Sequence, residues 1–290
     1  MPAILRIIWK VAFDAYWHFS EDDGWAMASH VALSTLMAVF PFLIFGTALG
    51  SYLGADQFAD TAVHLIFDAW PESIAKPVAD EIIAVLTIPR GEILTISVLA
   101  AAYFASNGVE ALRIALNRAY RVSESRPWYV TRLASLGFVL AAVLVLAALS
   151  ILLVAVPLAV RNADQWLPWL SNVLATVDNW GLALVLVMLT AGLLVSHLWL
   201  PDGHRNVMDV LPGVTLTLLL WSIGAYAFAS YLAAFSTYVA TYAGLASIVI
   251  VLVFLYMIGA IFIIGAEINA AIIKFRVKRM VKRRFQARGE

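Results

Sequence analysis

From Ala243 to Ala266 the chain reads AGLASIVIVLVFLYMIGAIFIIGA, with no charged residue anywhere in the run. A hydrocarbon core of about 30 Å is crossed by roughly 20 apolar residues in helical conformation. Within lipid a backbone satisfies its own hydrogen bonds only as a helix or a closed barrel. A run of this length and uniformity therefore dictates a membrane-spanning helix. Counted with its flanks as 243–273, it is the last of six such stretches, the others lying at about 25–50, 92–116, 131–160, 179–200 and 207–233. The fold class that follows is all-α, a polytopic membrane protein with six transmembrane helices. Composition agrees, since 63% of the residues are hydrophobic and 13% charged, against about half and a quarter in soluble domains.

Lysine and arginine set the orientation, because they accumulate on the cytoplasmic side of a membrane. With six spans, one side receives Arg6 and Lys10, then Arg113, Arg118, Arg121, Arg126 and Arg132, then Arg205, then eight in the tail from Lys274 to Arg288. The other side receives only Lys76, Arg90 and Arg161. Both termini are thus expected in the cytoplasm, and the whole of 1–290 reads as a single integral membrane domain. Residues 3–20 place Arg6, Lys10, Asp14 and His18 on one stripe, with Ile8, Trp9, Phe13, Tyr16 and Trp17 elsewhere. That pattern predicts an amphipathic helix in the membrane interface, and the charges interrupt any signal-peptide core. Segment 55–90 predicts two amphipathic helices on the outer face, separated by Pro71.

The second span changes character along its length. In YFASNGVEALRIALNRAYR (103–121), Ser106, Asn107, Glu110, Arg113, Asn117, Arg118 and Arg121 share one sector of a helical wheel, and small or apolar residues fill the other. Glu110 lies about 27 Å inward from residue 92 at 1.5 Å per residue, near the cytoplasmic boundary. Glu267 and Asn269 fall at a similar depth on the sixth span, with His30 on the first and His197 closing the fourth nearby. Buried charges are costly unless paired or hydrated, so their clustering has two readings. In one, Asn107, Glu110, Arg113, Asn117, Glu267, Asn269, His30 and His197 line a wet vestibule that admits a polar or charged substrate. In the other, the group is structural: Glu110 pairs with Arg113, and Glu267 takes an arginine from a loop.

Other chemistry is sparse. The absence of cysteine removes disulfides, thiolate metal sites and cysteine nucleophiles. His18, His30, His64, His197 and His204 form no HExxH or paired-ligand pattern, and there is no GxSxG elbow. No metal and no cofactor is expected. The basic tail residues Lys274, Arg276, Lys278, Arg279, Lys282, Arg283 and Arg284 predict attraction to anionic lipid headgroups. Without a folded domain or aromatic platform, they do not predict nucleic-acid binding. Gly259 and Gly265, with Ala260, Ala266, Ala270 and Ala271, predict close helix packing along the last span. The sequence is compatible with a monomer or a homo-oligomer.

Several blocks, in order along most of the chain, resemble the YihY/virulence factor BrkB family: ASHVALSTLMAVFPFLIFGTALGSYLG, ALNRAYRV…RPWYVTRL, LWLPDGHRNVMDVLPG and GAEINA. The resemblance implies a bacterial inner-membrane protein with six transmembrane helices. It marks Pro41, Asn107, Asn117, Arg126, Asp209, Pro212, Tyr242, Gly244, Gly265, Glu267 and Asn269 as family positions, and carries no catalytic role. His30-Val31 departs from the pattern. Family members have been labelled ribonuclease BN, a label for which this sequence offers no metal-ligand set or acid/base pair. The expected function is transport or flipping of a polar or amphipathic, envelope-related substrate through a cavity open to the cytoplasm. The alternative is a non-transporting scaffold that binds lipid or a partner.

Overall fold

The structure is a computed structural model that describes residues 3–52, 94–150, 171–234 and 243–286, with side chains described over 5–39, 98–149, 180–233 and 248–278. Seven helices and no strand occur among them: α1 (Ala3–Glu21), α2 (Gly24–Tyr52), α3 (Leu94–Ala119), α4 (Trp128–Ser150), α5 (Ser171–Trp199), α6 (Val207–Ala234) and α7 (Ala243–Gln286). The expected outer-face segment 55–90, Lys76, Arg90, Arg161 and the side chains of Arg279, Lys282, Arg283 and Arg284 lie outside the described residues.

Four stretches are long and apolar enough to cross a membrane among those residues: Trp128–Leu149, Trp180–Trp199, Val207–Ala233 and Ile248–Lys278. Gly24–Val39 in α2 is a shorter apolar stretch. Helix α3 falls short because Glu110, Arg113 and Arg118 occupy its second half. Large apolar side chains cover the outside of the bundle, as with Leu133, Leu140, Leu182, Ile223 and Tyr226. A water-facing surface does not carry apolar area on that scale, whereas a lipid-facing one requires it.

Helix α7 is the axis of the bundle, packing against α1, α2, α3 and α6, while α2 lies along α3, α4 on α3 and α5 on α6. Its small residues permit this. Ala266 and Ala271 are fully buried, and Gly259 lies against the Ala28 carbonyl and Val31 of α2. Where α6 crosses α7, Gly213 meets Gly265 so closely that a Cβ on either would overlap the opposing helix. The contact between small residues brings two backbones together as lipid-embedded helices require. The turn from α1 to α2 depends on Gly24 in the same way, since a Cβ there would come within 2.5 Å of the Phe19 carbonyl oxygen.

Helix α1 turns Asp14 and His18 of its polar stripe toward α7, while Arg6 and Lys10 of the same stripe are exposed. The Asp14 carboxylate accepts from Lys274 of α7, Phe19 is buried, and Trp9, Phe13, Tyr16 and Trp17 are exposed. The exposed face of α1 thus carries aromatic and apolar side chains beside Arg6 and Lys10.

Candidate functional site

The polar residues gather at one end of the bundle in three connected groups. The first begins on α3, where spacing of three places Glu110 and Arg113 on one face. Arg113 Nε donates to Glu110 Oε2 at 3.0 Å, a second bond joins Arg113 Nη2 to Glu110 Oε1, and Arg113 Nη1 pairs with Glu124. Glu124, from the loop after α3, also accepts from Asn117 Nδ2 at 3.0 Å and from Arg126 Nε at 2.7 Å. The Arg126 hydrogen bonds hold the Glu124 carboxyl far below the usual range, at about 2. Arg126 then reaches the C-terminus of α5, donating to the Leu200 carbonyl at 2.7 Å, one of the carbonyls a helix end leaves unpaired. Asp202 completes the loop-to-loop tie: its backbone N–H donates to Asn117 Oδ1 at 2.8 Å, and its carboxylate accepts from Ser125 N at 2.7 Å. Bonds from Ser125 lower the Asp202 carboxyl to about 2. On the α4 side, Arg132 donates to Asn107 Oδ1 at 2.7 Å and Ser135 to Glu110 Oε2 at 3.2 Å.

The second group is neutral and buried. Pro212 removes one N–H from the ladder of α6, and Asn269 of α7 inserts beside it. Asn269 Oδ1 accepts from Gly213 N at 2.7 Å, and Nδ2 donates to the Val210 carbonyl at 3.0 Å and to Tyr120 Oη at 3.2 Å. The same hydroxyl is hydrogen-bonded to His197 Nδ1, 2.9 Å away. The other ring nitrogen of His197, Nε2, is buried without a partner among the described residues.

The third group surrounds Glu267, only 1% exposed on α7. Arg121 donates to its Oε2 at 3.1 Å and also lies 3.6 Å from Asp14. Asp14 holds Lys274 at 2.5 Å, and Lys274 lies 3.3 Å from His18. Between this group and the α5–α6 loop opens a cleft of about 510 Å³, lined by His18, Arg121, His204, Arg205, Asp209 and Lys274 among others.

Of the residues expected to share a vestibule, Glu110, Arg113 and Asn117 form the first group with Asn107 at its edge; Asn269 and His197 form the second; Glu267 belongs to the third. His30 is exposed on α2 and joins none of them. Of the basic residues expected to face lipid, Lys274 and Arg276 are instead engaged by Asp14 and Asp209, because α7 continues as a packed helix past the apolar run. Lys278 is exposed. Tyr120, Glu124, Asp202 and Arg205 were not singled out by sequence reasoning. The only signals for them were the strong Pro201-Asp202-Gly203 turn and the density of arginines after α3. No three carboxylate, imidazole or thiol side chains converge as a metal site among the described residues.

Comparisons with known proteins agree with this architecture. The family model described as virulence factor BrkB matches residues 15–289. The ribonuclease-like protein YfkH of Bacillus subtilis is 29% identical over 88% of this chain and 92% of its own length. A UPF0761 membrane protein of Rhodospirillum centenum is 31% identical over 91% of this chain, and one from Xanthomonas campestris is 24% identical over 93%. The chain spans 57% and 61% of the length of those two relatives. No solved structure matches. A match across nearly the whole chain, on a bundle of apolar helices, makes this a membrane protein of the virulence factor BrkB family.

Proposed function

We propose that this chain is a bacterial inner-membrane protein with six spans and cytoplasmic termini that moves or flips a polar or amphipathic, envelope-related molecule. The charged end of the bundle is its cytoplasmic entrance. One observation carries the reading: Glu267, 1% exposed, follows directly on the apolar run of the most apolar candidate span among the described residues. An ionisable group at that position costs several kcal/mol relative to a well-packed apolar side chain. Its partner Arg121 is partly exposed beside an open cleft, so the pair stands where a substrate could compete for it. Intramembrane ionisable residues that face a cavity rather than lipid mark transport pathways in general.

A scaffold reading has its own support, since Glu110, Arg113, Glu124 and Arg126 are closed upon one another. That group is assigned here to holding α3, α4 and the α5–α6 loop together, whereas Glu267 is assigned to transport. The ribonuclease-like name of the Bacillus relative is not carried over, because the described residues offer no acid, base and ligand set to place the chemistry.

The test uses proteoliposomes carrying head-labelled fluorescent phosphatidylglycerol, with an impermeant quencher outside. The wild-type chain is expected to expose the inner-leaflet probe faster than protein-free vesicles. Glu267→Gln should slow this by about tenfold or more while leaving the amount of folded protein intact, and Glu110→Gln should do the reverse. Wild-type rates equal to those of empty vesicles, for this probe and for phosphatidylethanolamine, would remove the transport reading.

A further inference from the structure

Among the described residues, Arg205 lines the cleft beside α7 without a salt bridge. Around it, Arg121 is paired with Glu267, Lys274 with Asp14, and Arg276 with Asp209. Arg205 has no carboxylate partner among the described residues. Its Nη2 donates to the Asp202 carbonyl at 2.9 Å, its guanidinium lies 4.1 Å over the Tyr120 ring, and its Nη1 is buried without a partner. Stacking on an aromatic face fixes the plane of the fork, and a fixed planar fork is the geometry that recognises oxyanions through two parallel bonds. Burial disfavours the charged form of Arg205, and a bound anion would offset that cost.

The walls say what kind of anion fits. His204, Arg121, His18 and Lys274 lie around the same 510 Å³ space, with Asp209 the one acid among the lining residues and already held by Arg276. Val122, Ala270 and Ile273 supply apolar wall. On the far side of the Asp14–Lys274 pair, a groove of about 580 Å³ between α1 and α7 is lined by Trp9, Phe13, Trp17 and Phe275. A basic recess flanked by apolar and aromatic surface matches a molecule with a charged head and a hydrocarbon body. A free inorganic anion would use the recess and leave the apolar wall unused.

We propose that Arg205, with His204, Arg121 and Lys274 around it, binds the phosphodiester headgroup of an anionic lipid. This site stands whether or not the lipid is subsequently carried across the membrane, because it requires only binding.

The test is equilibrium protection of a single thiol. The chain has no cysteine, so Ile273→Cys in the purified full-length protein, in a neutral detergent, gives one reporter on the cleft wall. Short-chain phosphatidylglycerol is expected to slow its reaction with a soluble maleimide about fivefold or more, and short-chain phosphatidylcholine is not. Adding Arg205→Gln should raise the lipid concentration needed for half-maximal protection by about tenfold, the worth of one charge-assisted contact. Arg205→Lys, which keeps the charge and loses the fork, should fall between and serves if the glutamine variant does not fold. Equal protection by both lipids, or undiminished protection in both Arg205 variants, would overturn the site. Protection by inorganic phosphate as strong as by the lipid would overturn the lipid as its source. Loss of flux with binding retained would instead count only against transport.

Discussion

Arg121 occupies a backbone position that normally belongs to glycine. Its φ is 57°, and the bonds Arg121 N to Arg118 O at 2.8 Å and Val122 N to Asn117 O at 2.9 Å define the C-terminal cap of α3. An L side chain in this left-handed region costs about 1 kcal/mol or more. What offsets it is the direction the cap imposes: the chain reverses at the end of α3, and the side chain at this position reaches Glu267. Arg121→Gly therefore separates two effects of opposite sign. Relief of the backbone contributes about 1 kcal/mol, and leaving a buried carboxylate unpaired costs about 3–5 kcal/mol, so the variant should be less stable by about 2–4 kcal/mol. The double variant Arg121→Gly, Glu267→Gln removes the stranded charge and should recover most of that loss. Thermal unfolding of the two variants in one detergent measures both numbers, and a double variant no better than the single would contradict the pairing.

At the scale of elements, the crossing of α6 and α7 shows one side chain tying two helices together beside a proline. Proline at 212 withdraws a donor from α6, Asn269 supplies an acceptor and a donor to Gly213 and Val210, and glycine at 213 and 265 lets the amide come near enough. Trp221 Nε1 adds a bond to the Ile258 carbonyl at 3.1 Å further along. Asn269→Leu keeps the volume and removes both bonds to α6. With each stranded buried group costing about 1–3 kcal/mol, a loss of at least about 2 kcal/mol is expected, readable as a lower unfolding temperature. The helices themselves were legible in the sequence, because an apolar run of membrane length has few other structures open to it. The partner of Asn269 was not, since spacing along α7 says nothing about which backbone on α6 lacks a hydrogen bond. Glu110 with Arg113 was legible as a local pair one turn apart. Glu124 and Asp202 were not, because their partners come from loops that the fold alone brings together. Arg121 hid its role for a different reason: the residue that usually announces such a cap is glycine, and the sequence has arginine.

Across the whole molecule the polar contacts identify which helix ends are neighbours. Arg118 near the end of α3 reaches Asp22 and Asp23 in the α1–α2 turn, Asn117 reaches Asp202 in the α5–α6 loop, and Lys274 late in α7 reaches Asp14 of α1. The start of α2, the end of α3, the start of α4, the end of α5, the start of α6 and the late part of α7 thus share one end of the bundle. Six helices that alternate in this way cross six times if all of them cross, and the shared end is the one that carries most of the lysine and arginine. On the proposed six-span arrangement, the positive-inside bias assigns that end to the cytoplasm. Single cysteines on this cysteine-free chain test the count and the side together. Ser123→Cys and Lys278→Cys, both at exposed positions, should resist an impermeant maleimide added to intact cells and react in inverted vesicles. Cysteines at Lys76 and Arg161, on the segments that the sequence assigns to the opposite side, should show the reverse. Labelling of Ser123→Cys and Lys278→Cys from opposite sides would leave an odd number of crossings between them, and the six-span arrangement would fall with the cytoplasmic entrance that depends on it.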